Sequence, residues 1–286
     1  MKKIIVTDMD NTLYDWVGYY APSFLAMIDS LSEISGIGKE EIKSSFQRVH
    51  RRYHTSEYAF SIQELDVIRR QDVQLSEVEI LRKYNPAILQ FRKVRKQILR
   101  TFVNVESTLM SLRGKGIKIF AFTDSVLFYA LYRLKQLGIE HLFDGIVATE
   151  NHDVPRYMYS SGLLSDDKEH YKSSIPFQHE LSYGRGKPNV DGLAVIMDYT
   201  GCNRDEMIVI GDSLYKDIRM AQQFGVMDIF AEYGVNRDPE LYRELLKITH
   251  WTEDEIIEDR EQRNTQVTPS LKVDGFERIL DLVGAL

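Results

Sequence analysis

The chain has 286 residues, 43% of them hydrophobic and 28% charged, with a formal net charge of -7. That length suits one core plus a smaller module, and the composition is that of an ordinary globular protein, not a disordered or membrane-embedded one. The acidic balance speaks against nucleic acid and anionic membranes as partners, because such a surface repels phosphate.

Taken in chain order, Lys2 and Lys3 precede only a short apolar run, Ile4 to Val6, before Asp8 and Asp10. That run is too brief for the hydrophobic region of a signal peptide. No window approaches the roughly 18 apolar residues of a membrane span. Cys202 is the only cysteine, so no intrachain disulfide and no cysteine-based zinc site is available. A cytoplasmic location is expected.

Ile4 to Val6, Ile117 to Phe122, Ile146 to Ala148 and Met207 to Ile210 read as buried parallel strands, with Val226 to Ala231 as a fifth candidate. Amphipathic helices lie between them. Leu127, Ala130, Leu131, Leu134 and Leu137 recur at helical spacing before Gly138, and Val190 to Met197 and Leu214 to Ala221 repeat the pattern. Strands alternating with such helices predict an α/β fold with a doubly wound parallel sheet.

Residues 15–102 break the rhythm. They hold no strand pattern but several helical ones, at Phe24 to Ile34, Lys39 to Tyr53, Ile62 to Arg70 and Ala87 to Phe102. A helical block inserted after the first strand reads as a second module, leaving residues 1–14 and 103–286 as the sheet domain. A second irregularity, residues 151–186, is long for a loop and carries Tyr157, Tyr159, Tyr171 and Tyr183. A hairpin and a lid are both open for it.

The chemistry-bearing residues gather at strand ends and helix starts. Asp8 and Asp10 follow the first strand, where the ligand crevice of an open α/β sheet lies. Two carboxylates there repel each other unless a cation or shared proton intervenes. Thr123, Asp124 and Ser125 close the second strand just before a helix; their hydroxyls and backbone N–H groups form either a phosphate cradle or a simple cap. Lys187 stands at another helix start and can hold a phosphoryl oxygen as a point charge. Asp212 and Asp217 follow the strand Met207 to Ile210; hard oxygen ligands so placed suit Mg²⁺, although two acids at a helix start also complement its dipole.

In order, the Asp pair, Thr123, Lys187 and the second Asp pair match all four motifs of the haloacid dehalogenase superfamily, which the chain resembles over Met1 to Tyr14 and from about Val103 onward. The helical insertion is placed as in that family's capped members. The resemblance implies a phosphatase in which Asp8 attacks phosphorus to form an aspartyl phosphate and Asp10 serves as acid, then base. Thr123 and Asp124 with neighbouring N–H groups, and Lys187, would bind the phosphoryl group. Mg²⁺ would be held by Asp8, the Asp10 backbone carbonyl, Asp212 and Asp217. The cation would also reconcile an acidic site with a phosphate dianion.

Asp10 separates this chain from the dehalogenases, which lack the second acid. A mutase of the same superfamily and a non-enzymatic binding module on the same fold are the alternatives. A small phosphorylated substrate is expected, such as a sugar phosphate or nucleoside monophosphate. Tyr14, Trp16 and Tyr19 could line its pocket, favouring a nucleotide, or pack between the two modules. A rival reading comes from Gly211-Asp212-Ser213-Leu214, which spells the signature of the serine esterases named for those letters, with Asp167 and His170 as partners. Its order along the chain is the reverse of that family's.

Overall fold

Ile4–Thr7 (β1) is buried throughout, and a strand with no exposed residue must be covered on both faces. The computed structural model describes residues 3–160, 172–235, 237–260 and 267–285. The further strands are Lys118–Val126 (β2), Gly145–Thr149 (β3), Phe177–Leu181 (β4), Met207–Gly211 (β5), Met227–Ala231 (β6) and Leu271–Val273 (β7). They form one all-parallel sheet in the order β4-β3-β2-β1-β5-β6-β7.

Side chains alternate across the sheet, so each strand feeds two cores. Ile4, Val6, Phe120, Phe122, Val147 and Val209 face one. Ile5, Ile119, Ala121, Ile146, Ile208 and Ile210 face the other. This is the α/β architecture expected, with the five foreseen strands in place. The two unforeseen ones, β4 and β7, lie at the sheet's edges, where half the side chains stay in water and the apolar run disappears.

Between β1 and β2 the chain is helical. Trp16–Ser35 (α1), Lys39–Tyr53 (α2), Ser61–Glu64 (α3), Asp66–Gln71 (α4) and Glu77–Ile98 (α5) make a block in which α1 packs chiefly on α5, and Val105–Gly114 (α6) returns to the sheet. The later helices are Leu127–Gln136 (α7), Arg156–Ser160 (α8), Asp191–Thr200 (α9), Arg219–Phe224 (α10), Pro239–Leu246 (α11), Glu253–Arg260 (α12) and Ile279–Ala285 (α13). The two chain segments that join block and sheet run side by side: Tyr14 bridges Thr101, and the Phe102 N–H donates to the Leu13 carbonyl at 2.9 Å.

Three helices differ from expectation, α1 by starting at Trp16, eight residues before Phe24. The α5 helix begins ten residues before Ala87 and passes through Pro86. Its true start carries a capping box, in which Ser76 N–H donates to Glu79 Oε2 at 2.9 Å, and burial of Ile80, Tyr84 and Ala87 holds the helix across the proline. The expected helix from Ile62 to Arg70 is broken at Leu65, which is extended (ψ 118°) and wholly buried.

Residues 151–186 contain β4, which pairs with β3 in parallel, so β3 and β4 are not themselves the two arms of a hairpin; residues 161–171 lie outside the described residues. Tyr171, and Asp167 with His170, lie outside the described residues.

One stretch after β6 leaves the sheet and lies across the helical block. The α11 helix packs on α1, and Lys43 Nζ sits between Glu40 at 2.5 Å and Glu244 at 2.6 Å. His50 Nδ1 meets the Ile248 carbonyl at 2.6 Å, and the Trp251 ring lies 6.1 Å from Trp16. The block is therefore held from below by its two connecting segments and from the side by this strap.

Candidate active site

Asp8 follows β1 directly, Asp212 follows β5, and Thr123 and Asp124 lie near the end of β2. Because β2, β1 and β5 are adjacent and parallel, their carboxyl ends deliver all four residues to one edge. Lys187 enters from the segment between β4 and α9, and Asp217 from a wide turn, Leu214–Ile218, that precedes α10. In that turn the Ser213 hydroxyl accepts from Lys216 N–H at 3.1 Å. Gly211 makes the turn possible: a Cβ there would lie 2.2 Å from Asp217 Cγ, so only glycine lets that carboxylate fold back over the strand end.

The expected residues converge. Lys187 Nζ lies 2.5 Å from Asp8 Oδ1 and 2.6 Å from Asp217 Oδ1, while Thr12 Oγ1 donates to Asp8 Oδ2 at 3.1 Å. Carboxylate oxygens of Asp8, Asp212 and Asp217 all lie within 4.8 Å of one another, and all three residues are buried. Burial pushes the Asp8 carboxyl well above its ordinary range; Lys187 opposes this, and Asp217, Asp212 and Asp10 add to it. Burial alone would lower the Lys187 ammonium, but Asp217, Asp8 and Asp124 outweigh it and hold it well above its usual value.

Asp10 is not part of that cluster. Its Oδ1 accepts from the Tyr14 hydroxyl at 2.6 Å and its Oδ2 from Ser125 Oγ at 2.8 Å. Burial keeps the Tyr14 phenol neutral, so it remains a donor and points the Asp10 carboxylate beside Asp8.

Thr123 is buried, and its Oγ1 accepts from Ser125 N–H at 3.1 Å. β2 runs on through Val126, and α7 starts only at Leu127. Thr123 therefore lies near the end of the strand, just ahead of the helix. Asp124, expected at the substrate, accepts through its carboxylate from Lys187 N–H at 2.8 Å and from Lys216 Nζ at 2.7 Å. Those two lysines, Lys216 foremost, outweigh burial and lower its pKa.

Sequence reasoning missed Lys216, Arg133, Glu57 and Arg237. Lys216 lies inside the Gly211 to Asp217 run and was visible there. Arg133 interrupts an apolar helix face at a buried position, which is itself a signal. Arg237 Nη2 lies 3.0 Å from Asp212 Oδ2; neither it nor Glu57 stands in any recognisable pattern. Tyr14, Trp16 and Tyr19 are buried, with Tyr14 edge-on to Tyr19 at 5.8 Å and Trp16 stacked on Tyr20 at 5.0 Å. They pack between the two parts of the chain, which removes the ground for favouring a nucleotide.

Comparison with known proteins meets this geometry from another direction. The model of a family described as haloacid dehalogenase-like hydrolase matches residues 2–225. The chain is similar to a glyceraldehyde 3-phosphate phosphatase from Methanocaldococcus jannaschii, 24% identical over 166 residues, 56% of this chain and 59% of that protein. The match thus spans less than two thirds of that relative's length. It is also similar to the Methanopyrus kandleri protein of the same name, 22% identical over 290 residues, covering 100% of this chain and 99% of that one. Among solved structures, a HAD phosphatase from Thermococcus onnurineus has the same fold, with a TM-score of 0.53 at 15% identity over 99% of this chain and 98% of that one. No helix among the described residues is long and apolar enough to cross a membrane.

Proposed function

The chain belongs to the haloacid dehalogenase-like hydrolases, and on that premise we propose that it is a Mg²⁺-dependent phosphomonoester hydrolase working through a phospho-aspartate at Asp8. The observation that carries this reading is the convergence of Lys187 with Asp8 and Asp217 at 2.5 and 2.6 Å, with Asp10 held separately beside them.

In the first step Asp8 attacks phosphorus, the bond from phosphorus to the leaving oxygen breaks, and Asp10 gives that oxygen its proton. In the second, a water attacks the aspartyl phosphate, Asp10 takes the proton, and inorganic phosphate leaves. The Tyr14 and Ser125 hydroxyls aim Asp10 for both transfers. Lys187 offsets negative charge as it spreads over the phosphoryl oxygens, and Thr123 with nearby N–H groups holds those oxygens. The Asp124 carboxylate orients Lys187 and Lys216 toward the phosphoryl group, which leaves its backbone N–H as the part of Asp124 that can bind a phosphoryl oxygen.

The buried oxygen-only cluster of Asp8, Asp212 and Asp217 fits Mg²⁺, a hard cation that takes few carboxylates. Those three, with the Asp10 backbone carbonyl, would hold the ion. When bound it neutralises charge on the phosphoryl group and helps orient it. Burial raises the Asp8 carboxyl and the neighbouring carboxylates Asp217 and Asp212 add to it, and a bound cation would relieve both effects.

The substrate is a small phosphorylated metabolite. The names of the archaeal relatives favour a triose phosphate over the nucleoside monophosphate and larger sugar phosphates that the chemistry also admits. Hydrolysis of p-nitrophenyl phosphate by wild type and Asp8→Asn, each with Mg²⁺ and with EDTA, tests the reading. Metal-dependent turnover lost in the variant supports it; turnover that survives EDTA or Asp8→Asn sinks it.

A further inference from the structure

Next to Asp10 the interior holds a charged pair that the hydrolytic steps do not use. Arg133, on α7, is 2% exposed. Its Nη1 donates to the Tyr19 hydroxyl at 3.2 Å and to Glu57 Oε1, and its Nη2 lies 3.8 Å from Asp10 Oδ2. The Tyr14 ring, whose hydroxyl holds Asp10, lies 5.9 Å from the guanidinium. Glu57 comes from the segment between α2 and α3, so the pair joins the helical block to the sheet domain.

Arg133 Nε and Nη2 donate no hydrogen bond, and Glu57 Oε2 accepts none, although all three atoms are shut off from solvent. Buried polar atoms are nearly always paired, and leaving them unpaired is costly. The other inward residues of α7 are Leu127, Ala130 and Leu134, and an apolar side chain at position 133 would have avoided the cost. The atoms without a hydrogen bond are two donors and one acceptor, with Nη2 facing Asp10 at 3.8 Å. They stand beside Asp10, the acid that protonates the leaving oxygen.

We propose that Arg133 and Glu57 form the subsite for the leaving group, selecting a short chain that carries a hydroxyl next to a carbonyl or a second hydroxyl. A carbonyl or hydroxyl oxygen accepts from Arg133 Nε or Nη2, and a hydroxyl donates to Glu57 Oε2. A p-nitrophenyl leaving group offers no hydroxyl to donate to Glu57 Oε2, and its nitro oxygens stand a whole rigid ring away from the leaving oxygen. Because the two residues come from different parts of the chain, the subsite is complete only where block and sheet meet. The inference rests on the phosphatase reading and refines its substrate class.

The test measures kcat and KM for glyceraldehyde 3-phosphate and for p-nitrophenyl phosphate in wild type, Arg133→Met and Glu57→Gln, with folding followed by circular dichroism. Glu57→Gln keeps the shape of the side chain and covers the case in which loss of the buried guanidinium prevents folding. Expected is a drop in kcat/KM of about 10- to 100-fold on the triose phosphate, carried mostly by KM, and a smaller loss on p-nitrophenyl phosphate that falls on kcat alone, because Arg133 also lies 3.8 Å from Asp10 Oδ2. Equal losses on both substrates in a folded variant, or no loss on either, would overturn the subsite. So would a wild type that turns over the aryl ester and not the triose phosphate. A wild type that hydrolyses neither ester removes the phosphatase reading itself, and the subsite goes with it.

Discussion

Lys187 Nζ lies 2.5 Å from Asp8 Oδ1, although 179 positions separate the two residues in the chain. The sheet order brings them together: β1 is central, and the β4 to α9 segment crosses over its carboxyl end. A buried ammonium shared by Asp8 and Asp217 is the positive charge set directly against Asp8.

Replacing it should therefore cost catalysis more than binding. Lys187→Met is expected to lower kcat by about 10²- to 10³-fold, the usual effect of removing one transition-state charge contact. Steady-state kinetics at saturating Mg²⁺ checks this. A change confined to KM would place Lys187 in uniform substrate binding.

Asp10→Asn should lower kcat by about 10²- to 10³-fold, with the phospho-enzyme accumulating on p-nitrophenyl phosphate. That leaving group needs little protonation, so the second step suffers more than the first. Tyr14→Phe, which removes only the donor at 2.6 Å, should cost about tenfold. A rapid-quench burst experiment separates the steps, and a burst-free Asp10→Asn would remove Asp10 from the second.

The strap predicts a stability effect far from the chemistry. Trp251→Ala strips the contact with Trp16 and should destabilise the protein by about 2 kcal/mol, less than a fully buried tryptophan because the ring is only partly covered. Urea unfolding measures it; an unchanged midpoint would mean that the strap rests on the block without holding it.

Acid should loosen the same strap. Burial lowers the His50 pKa from 6.5 to about 4, so the unfolded chain binds the proton more readily than the folded one. Stability from this group is fully present above pH 6.5 and is lost as pH falls toward 4. Between pH 7.5 and 5 the loss is about 2 kcal/mol. His250, lowered to about 3 chiefly by burial, acts in the same direction. Urea midpoints across that range should fall in wild type and fall less in His50→Gln; parallel curves would remove His50 as the cause.

What was legible in the sequence divides along physical lines. Buried parallel strands are apolar on both faces, so β1, β2, β3, β5 and β6 announced themselves, and the motif residues at their ends came with them. Edge strands β4 and β7 keep one side in water, and nothing in Phe177–Leu181 separates it from a polar loop. Pro86 masked a helix whose start was written at Ser76 and Glu79. Arg133 and Glu57 could not have been paired, because their contact depends on how the helical block sits on the sheet, and no local pattern encodes that. Asp124 was read by its place beside Thr123, while its partners, Lys187 and Lys216, arrive from later in the chain.

On the proposed mechanism Asp8 carries the phosphoryl group. Acid-quenching the enzyme during turnover of p-nitrophenyl phosphate with Mg²⁺, followed by peptide mass spectrometry, tests it directly. The account predicts an acid-stable, base-labile phosphoryl group on the peptide containing Asp8, enriched in Asp10→Asn and absent from Asp8→Asn. Turnover with that peptide unmodified in both wild type and Asp10→Asn, or with the phosphoryl group on another residue, would contradict it.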